Sequence, residues 1–175
     1  MYSFLVKDTS NSNPKVLLIT TEGNITLELY SDKAPITVKN FLTYVDEGFY
    51  DGTVFHRVIK GFMIQGGGFT LDGKKKPTHN PIILESDNGL KNEIGSIAMA
   101  RSNIPDSATS QFFINTADNF FLNKGVRDEG YAVFGRVISG MDVVYKIENT
   151  LTTTKYGMSD WPRNDIIIIK AKILE

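Results

Sequence analysis

Val54-Phe55-His56-Arg57-Val58-Ile59-Lys60-Gly61-Phe62-Met63-Ile64-Gln65-Gly66-Gly67-Gly68 gathers aromatic, apolar and polar residues around one arginine. Two β-rich runs, Thr53 to Ile59 and Phe62 to Gln65, lie either side of Gly61. A strand over Thr53 to Ile59 puts Phe55, Arg57 and Ile59 on one face and His56 and Val58 on the other. An arginine beside two large apolar groups needs a reason. The ordinary one is a side chain that snorkels or pairs with an acid at a sheet rim. Gly66-Gly67-Gly68 lacks the lysine-serine ending of a phosphate loop and opens no apolar-periodic helix, so it predicts a tight turn or a close backbone approach.

Toward the N-terminus, Val16 to Thr21 is β-rich, Gly23-Asn24 supplies a turn, and Ile25, Leu27 and Leu29 alternate with polar residues, the pattern of a hairpin. Pro35 can open a helix whose apolar face is Val38, Phe41, Leu42 and Val45, with Gly48 at its exit. Toward the C-terminus, short runs at Ser96 to Arg101, Gln111 to Asn115 and Tyr131 to Ile138 are separated by Gly-, Asn-, Asp- and Pro-rich segments. Met141 to Thr150 predicts a second short helix. Ile167, Ile169, Ala171 and Ile173 alternate with Lys170 and Lys172 in a closing strand. The class is mainly β, with about seven or eight strands and two helices, as in a barrel or sandwich. Asp8 to Pro14 is polar and turn-rich, so residues 1–14 read as a flexible lead-in and 15–175 as one domain.

Composition excludes many chemistries. No cysteine among 175 residues removes disulfide scaffolds, zinc ribbons and thiol nucleophiles. His56 and His79 are the only histidines and neither has an acidic partner at helical ligand spacing, which argues against a metal site. No Gly-x-Ser-x-Gly elbow marks a serine nucleophile. Nineteen basic against twenty acidic side chains give no global field for nucleic acid. No apolar run exceeds four residues, far short of the about 20 a membrane helix needs. The start, Met1 to Lys7, lacks a basic region followed by an apolar core, so the chain reads as cytoplasmic, or as periplasmic if a leader was removed. The expected state is a monomer without cofactor or metal.

The stretch Phe55-His56-Arg57-Val58-Ile59, followed by Gly61-Phe62-Met63-Ile64-Gln65-Gly66-Gly67, resembles the signature of the cyclophilins, a class of peptidyl-prolyl isomerases. Ala34-Pro35, Gly48-Phe49-Tyr50, Ile97-Ala98-Met99-Ala100-Arg101, Ser110-Gln111-Phe112-Phe113-Ile114-Asn115 and Val133-Phe134-Gly135-Arg136-Val137 agree in order. The resemblance runs from about Lys15 to Leu174 and is closest to bacterial single-domain members. It implies an eight-stranded antiparallel β-barrel closed by two α-helices.

It also implies roles. Arg57 matches the essential arginine and Gln65 a glutamine that holds the substrate backbone. Phe62, Met63, Phe113 and Leu122 match the walls of a proline pocket, and Ala100 and Arg101 an edge that binds peptide through main-chain groups. Phe121 stands where many eukaryotic members carry a tryptophan that contacts cyclosporin, and Tyr131 where they carry a histidine, so weak or no cyclosporin binding is expected. Arg101 replaces an asparagine and is expected to add a positive charge beside the groove. His56, on the opposite face from Arg57, is expected to be structural. The implied function is acceleration of X-Pro rotation in unfolded or flexible segments, assisting folding, with proline-containing polypeptides as partners. Two alternatives are a proline-segment binding module or chaperone with incidental catalysis, and a barrel that encloses a small ligand.

Overall fold

The computed structural model describes residues 12–175. Most of the expected lead-in therefore lies outside the described residues. Of its last residues, Asn13 Nδ2 donates to Glu28 Oε1 at 3.0 Å, and the Pro14 carbonyl accepts the Leu29 N–H at 2.8 Å.

In chain order the elements are β1 (Lys15–Thr20), β2 (Gly23–Leu29), α1 (Pro35–Asp46), β3 (Arg57–Ile59), β4 (Met63–Gly66), β5 (Ser96–Met99) and β6 (Phe112–Asn115). They continue with β7 (Val133–Ser139), α2 (Met141–Glu148), β8 (Thr152–Lys155), β9 (Met158–Pro162) and β10 (Ile168–Leu174). Eight strands make one antiparallel sheet in the order β10-β1-β2-β7-β5-β6-β4-β3. Its ends are drawn together by residues just before β3: Gly52 N–H donates to Ile168 O at 2.7 Å, Ile168 N–H to Thr53 O at 2.8 Å, and Phe55 N–H to Ile166 O at 2.9 Å. The sheet thereby curls into the expected barrel.

Strand alternation separates the barrel's two surfaces. Val58, Ile64, Ile114 and Ile97 sit opposite one another across β3, β4, β6 and β5, and all are buried in the main core. Phe41 of α1 anchors that core, with ring centroids 5.2 Å from Tyr50, 5.5 Å from Phe112 and 5.2 Å from Phe134. The barrel is therefore filled with side chains, which overturns the reading of a barrel that encloses a small ligand. Helix α1 begins at Pro35 as expected. Its first turn is held by Glu85, whose Oε1 accepts the Thr37 N–H at 2.6 Å, a carboxylate at the positive end of a helix.

Four expectations need correction. The first hairpin turns at Thr21-Glu22, and Gly23 begins β2. Thr53 to Ile59 is not one strand, because Phe55 and His56 lie outside regular pairing. Phe55 therefore joins Val58 in the core, while Arg57 stays exposed and Ile59 packs on the outer cluster. In the last strand the pairing shifts between Ile19 and Thr20, so Ile169 is an extra residue opposite them and the parity reverses. Ile166, Ile168 and Ala171 are buried, and Ile169 and Ile173 are exposed. Finally, the β8–β9 hairpin was not foreseen. It turns at Tyr156-Gly157, both at positive φ (53° and 76°), a geometry usually announced by Asn-Gly or Asp-Gly.

Candidate active site

The outer face of the same four strands carries the complementary row. Arg57 pairs with Gln65, Gln65 with Phe113, and Phe113 with Ala98, so these four side chains lie on one surface. Met63, Ala98, Phe113, Leu122 and Val133 form a second apolar cluster, separate from the main core, and Phe62, Ala100 and Tyr131 pack against it. Above this cluster opens a cavity of about 270 Å³. The nine expected site residues other than Phe121 all line it: Arg57, Phe62, Met63, Gln65, Phe113 and Leu122, together with Ala100, Arg101 and Tyr131. Phe121 stands at its side, half exposed, with its ring 5.8 Å from that of Phe62.

The arginine rests lightly on its neighbours. Arg57 Nη1 donates to Gln65 Oε1 at 3.5 Å, and Gln65 Nε2 donates to Gln111 Oε1 at 3.0 Å. Among the described residues no carboxylate lies within ion-pair distance of Arg57. Its guanidinium therefore has donors to offer an incoming ligand. His56, next in the chain, is buried against Phe69 at 4.6 Å and Trp161 at 6.0 Å, with Nδ1 lacking a partner. Burial, with a smaller contribution from the Arg57 charge, lowers its pKa to about 4. A neutral, buried ring is the structural role expected of it.

The turn between β3 and β4 is pinned from beneath. Gly61 N–H donates to Glu148 Oε2 of α2 at 3.0 Å, and the Phe62 carbonyl accepts Asn119 Nδ2 at 2.8 Å and the Thr116 N–H at 3.0 Å. A buried amide network continues from there. Asn119 Nδ2 also donates to Asn115 Oδ1 at 2.8 Å, Asn115 Nδ2 to Asn92 Oδ1 at 3.1 Å, and Asn92 Nδ2 to Asn123 Oδ1 at 3.1 Å. It seats the turn of 3-10 helix at Phe120–Leu122 over the sheet. The sequence reading marks only Asn115, as the end of a motif, and gives no sign of the network that joins it to Asn92, Asn119 and Asn123.

Arg101 departs from expectation. Its side chain is only 3% exposed, so it is no free charge at the groove. Nε donates to Gly130 O at 2.9 Å, Nη1 to Ser102 O at 2.9 Å, and Nη2 meets Asp128 Oδ1 at 3.4 Å. The guanidinium also stacks 4.5 Å from the centre of the Tyr131 ring, which meets Phe113 edge-on at 5.7 Å. It ties the end of β5 to the 123–131 loop, the two walls of the cavity. Arg127, which the sequence reading missed, completes the lining. It lies 5.4 Å over Phe121 and 3.6 Å from Asp128 Oδ2. A loop without periodicity gave it no signal.

A larger depression, about 850 Å³, lies beside Tyr30, Glu93 and Arg136. It holds none of the expected site residues, and its Arg136 is paired with Glu28 at 3.6 Å. Among the described residues no group of three or more His, Asp or Glu could hold a metal ion.

The cavity thus lies on the outer wall of a filled barrel, floored by apolar side chains and flanked by Arg57, which has no carboxylate partner among the described residues. The family model described as cyclophilin type peptidyl-prolyl cis-trans isomerase matches residues 15–173. Peptidyl-prolyl cis-trans isomerase A of Dickeya dadantii is 54% identical over 95% of this chain and 87% of its own length. Peptidyl-prolyl cis-trans isomerase B of Escherichia coli is 52% identical over 89% and 97%. A crystal structure of a Cryptosporidium parvum cyclophilin, solved in the presence of the dipeptide Ala-Pro, superposes with a TM-score of 0.77 at 31% identity, covering 92% of this chain and 99% of that one. The chain belongs to the cyclophilin-type peptidyl-prolyl cis-trans isomerases.

Proposed function

We propose that the chain accelerates rotation of X-Pro bonds in unfolded or flexible polypeptide segments, and thereby assists folding, with Arg57 stabilising the twisted amide. Rotation about a peptide C–N bond meets a barrier of about 18–20 kcal/mol because resonance is lost in the twisted state. No covalent bond breaks. The X-Pro isomers differ by only about 0.5–1 kcal/mol yet exchange over tens to hundreds of seconds, so a catalyst need only favour the twisted form. In that form the proline nitrogen regains its lone pair and accepts a hydrogen bond it could not accept in the planar state. A donor that meets it only there lowers the barrier by differential binding.

The observation that carries this reading is Arg57 without a carboxylate partner among the described residues, in one row with Gln65 and Phe113. The proline ring would rest on Phe113, Met63 and Leu122, with Phe62 and Tyr131 at the sides. Gln65 and the Ala100–Arg101 main chain would hold the flanking peptide while the other carbonyl turns. One preorganised donor contributes about 2.7–4 kcal/mol, or two to three decades in rate. The expected result is therefore a roughly 100- to 1,000-fold loss of kcat/KM in Arg57→Ala, measured by magnetisation exchange on a short X-Pro peptide. No acceleration by wild type would remove the isomerase reading; an unimpaired variant would remove the role of Arg57.

Phe121 offers an apolar ring and no N–H donor, so cyclosporin is proposed to bind weakly. Phe121→Trp is expected to tighten it in a direct titration, and no gain would show that this position does not limit the affinity.

A further inference from the structure

The cavity lining contains three arginines, Arg57, Arg101 and Arg127, and no acidic residue. Among the described residues only one carboxylate touches any of them. Asp128 meets Arg101 at 3.4 Å and Arg127 at 3.6 Å, and its Oδ1 also accepts the Gly130 N–H at 2.7 Å. Three guanidiniums against one carboxylate leave an excess of two positive charges around the cavity, in a chain whose net charge is -1. The excess is concentrated at two places. Arg101 is buried and its donors are engaged with carbonyls and Asp128, so it presents little to a ligand. Arg57 is exposed and unpaired by any carboxylate among the described residues. Arg127 is half exposed, shares its acid with Arg101, and lies 5.4 Å from the centre of the Phe121 ring while lining the cavity.

Resting on the isomerase reading above, we propose that Arg127 is a specificity-determining residue and that the favoured substrates are X-Pro segments with an aspartate or glutamate within a residue or two of the proline. Arg57 is committed to the reacting bond. Arg127 is the second exposed cation, set on a loop that overhangs the same cavity, and a side-chain carboxylate of a bound peptide can approach it without displacing Arg101 from Asp128. A lysine in that place on the substrate meets the same excess as repulsion. Complementary charge at a partly exposed site discriminates by a few-fold and weakens with salt.

The test uses X-Pro peptides that differ only in Glu, Gln or Lys, placed directly before the proline in one set and at the first or second position after it in others. Magnetisation exchange gives kcat/KM, and chemical-shift titration gives affinity, for wild type, Arg127→Gln and Arg127→Lys. In at least one set, wild type is expected to favour Glu over Gln by about three- to fivefold at low salt, with Lys poorest. The ratio should approach one near 1 M salt, where the screening length is about 3 Å. Arg127→Gln should bring the Glu-to-Gln ratio to one at low salt, and Arg127→Lys should keep most of it. Equal use of Glu, Gln and Lys in every set, or a preference that survives Arg127→Gln, would overturn the proposal. Turnover of the Gln peptide separates this result from the isomerase reading itself. If that peptide is bound without being turned over, the affinities decide the charge preference by the same comparisons.

Discussion

His56 and Arg57 are adjacent in the chain, the first buried and the second exposed. Because burial lowers the His56 pKa to about 4, from about 6.5 in the unfolded chain, the unfolded state binds the extra proton between those values. Stability from this residue is fully present above about pH 6.5 and is lost as pH falls toward 4, by at most about 3 kcal/mol. Urea titrations of wild type and His56→Phe at pH 7 and pH 4.5 should show a smaller acid loss in the variant; equal losses would mean the ring is not the titrating group. Arg101 supports a different prediction. With its side chain buried and bonded to both walls, Arg101→Ala should cost about 1.5–3 kcal/mol of stability. The same change should raise KM more than it lowers kcat, because Tyr131 loses its support. Arg101→Lys keeps the charge but not the fork and should recover only part of the loss. A kcat-only defect would contradict this.

At the scale of elements, neighbouring residues of β6 belong to different surfaces. Phe112 meets Phe41, Tyr50 and Phe55 inside the barrel, while Phe113 floors the cavity outside. Phe112→Ala should therefore cost about 3–5 kcal/mol in denaturant unfolding. Phe113→Ala should lose catalysis well beyond what its stability change explains. Much of this was legible. Short β-rich runs located the strands that carry Arg57, Gln65 and Phe113, and family resemblance marked nine residues that line the cavity. The three glycines after Gln65 were also legible as a close approach. A Cβ on Gly67, which has φ of 87°, would come within 2.9 Å of Tyr50 and 2.8 Å of Phe112. What alternation could not supply were its own interruptions. The extra residue Ile169 reverses the parity of β10, and Phe55-His56, outside the regular strand, reverse it before β3. Arg127 and three of the four network asparagines, Asn92, Asn119 and Asn123, sit outside the strands, where no period marks them.

Taken whole, the molecule is held shut by few bonds. The amides of Phe55 and Ile168 close the sheet, whereas β8 and β9 pair only with each other. Hydrogen exchange should find Phe55 and Ile168 among the slowest amides, opening only with global unfolding, and Lys155 and Met158 much faster. Comparable rates at both places would mean that closure is local rather than part of the cooperative unit. The filled interior has a further consequence. Because side chains fill the barrel, the candidate site lies on the outside of four strands, where a passing chain need not end or thread through anything. A proline far from either terminus of a long polypeptide can be laid across such a surface and lifted away again.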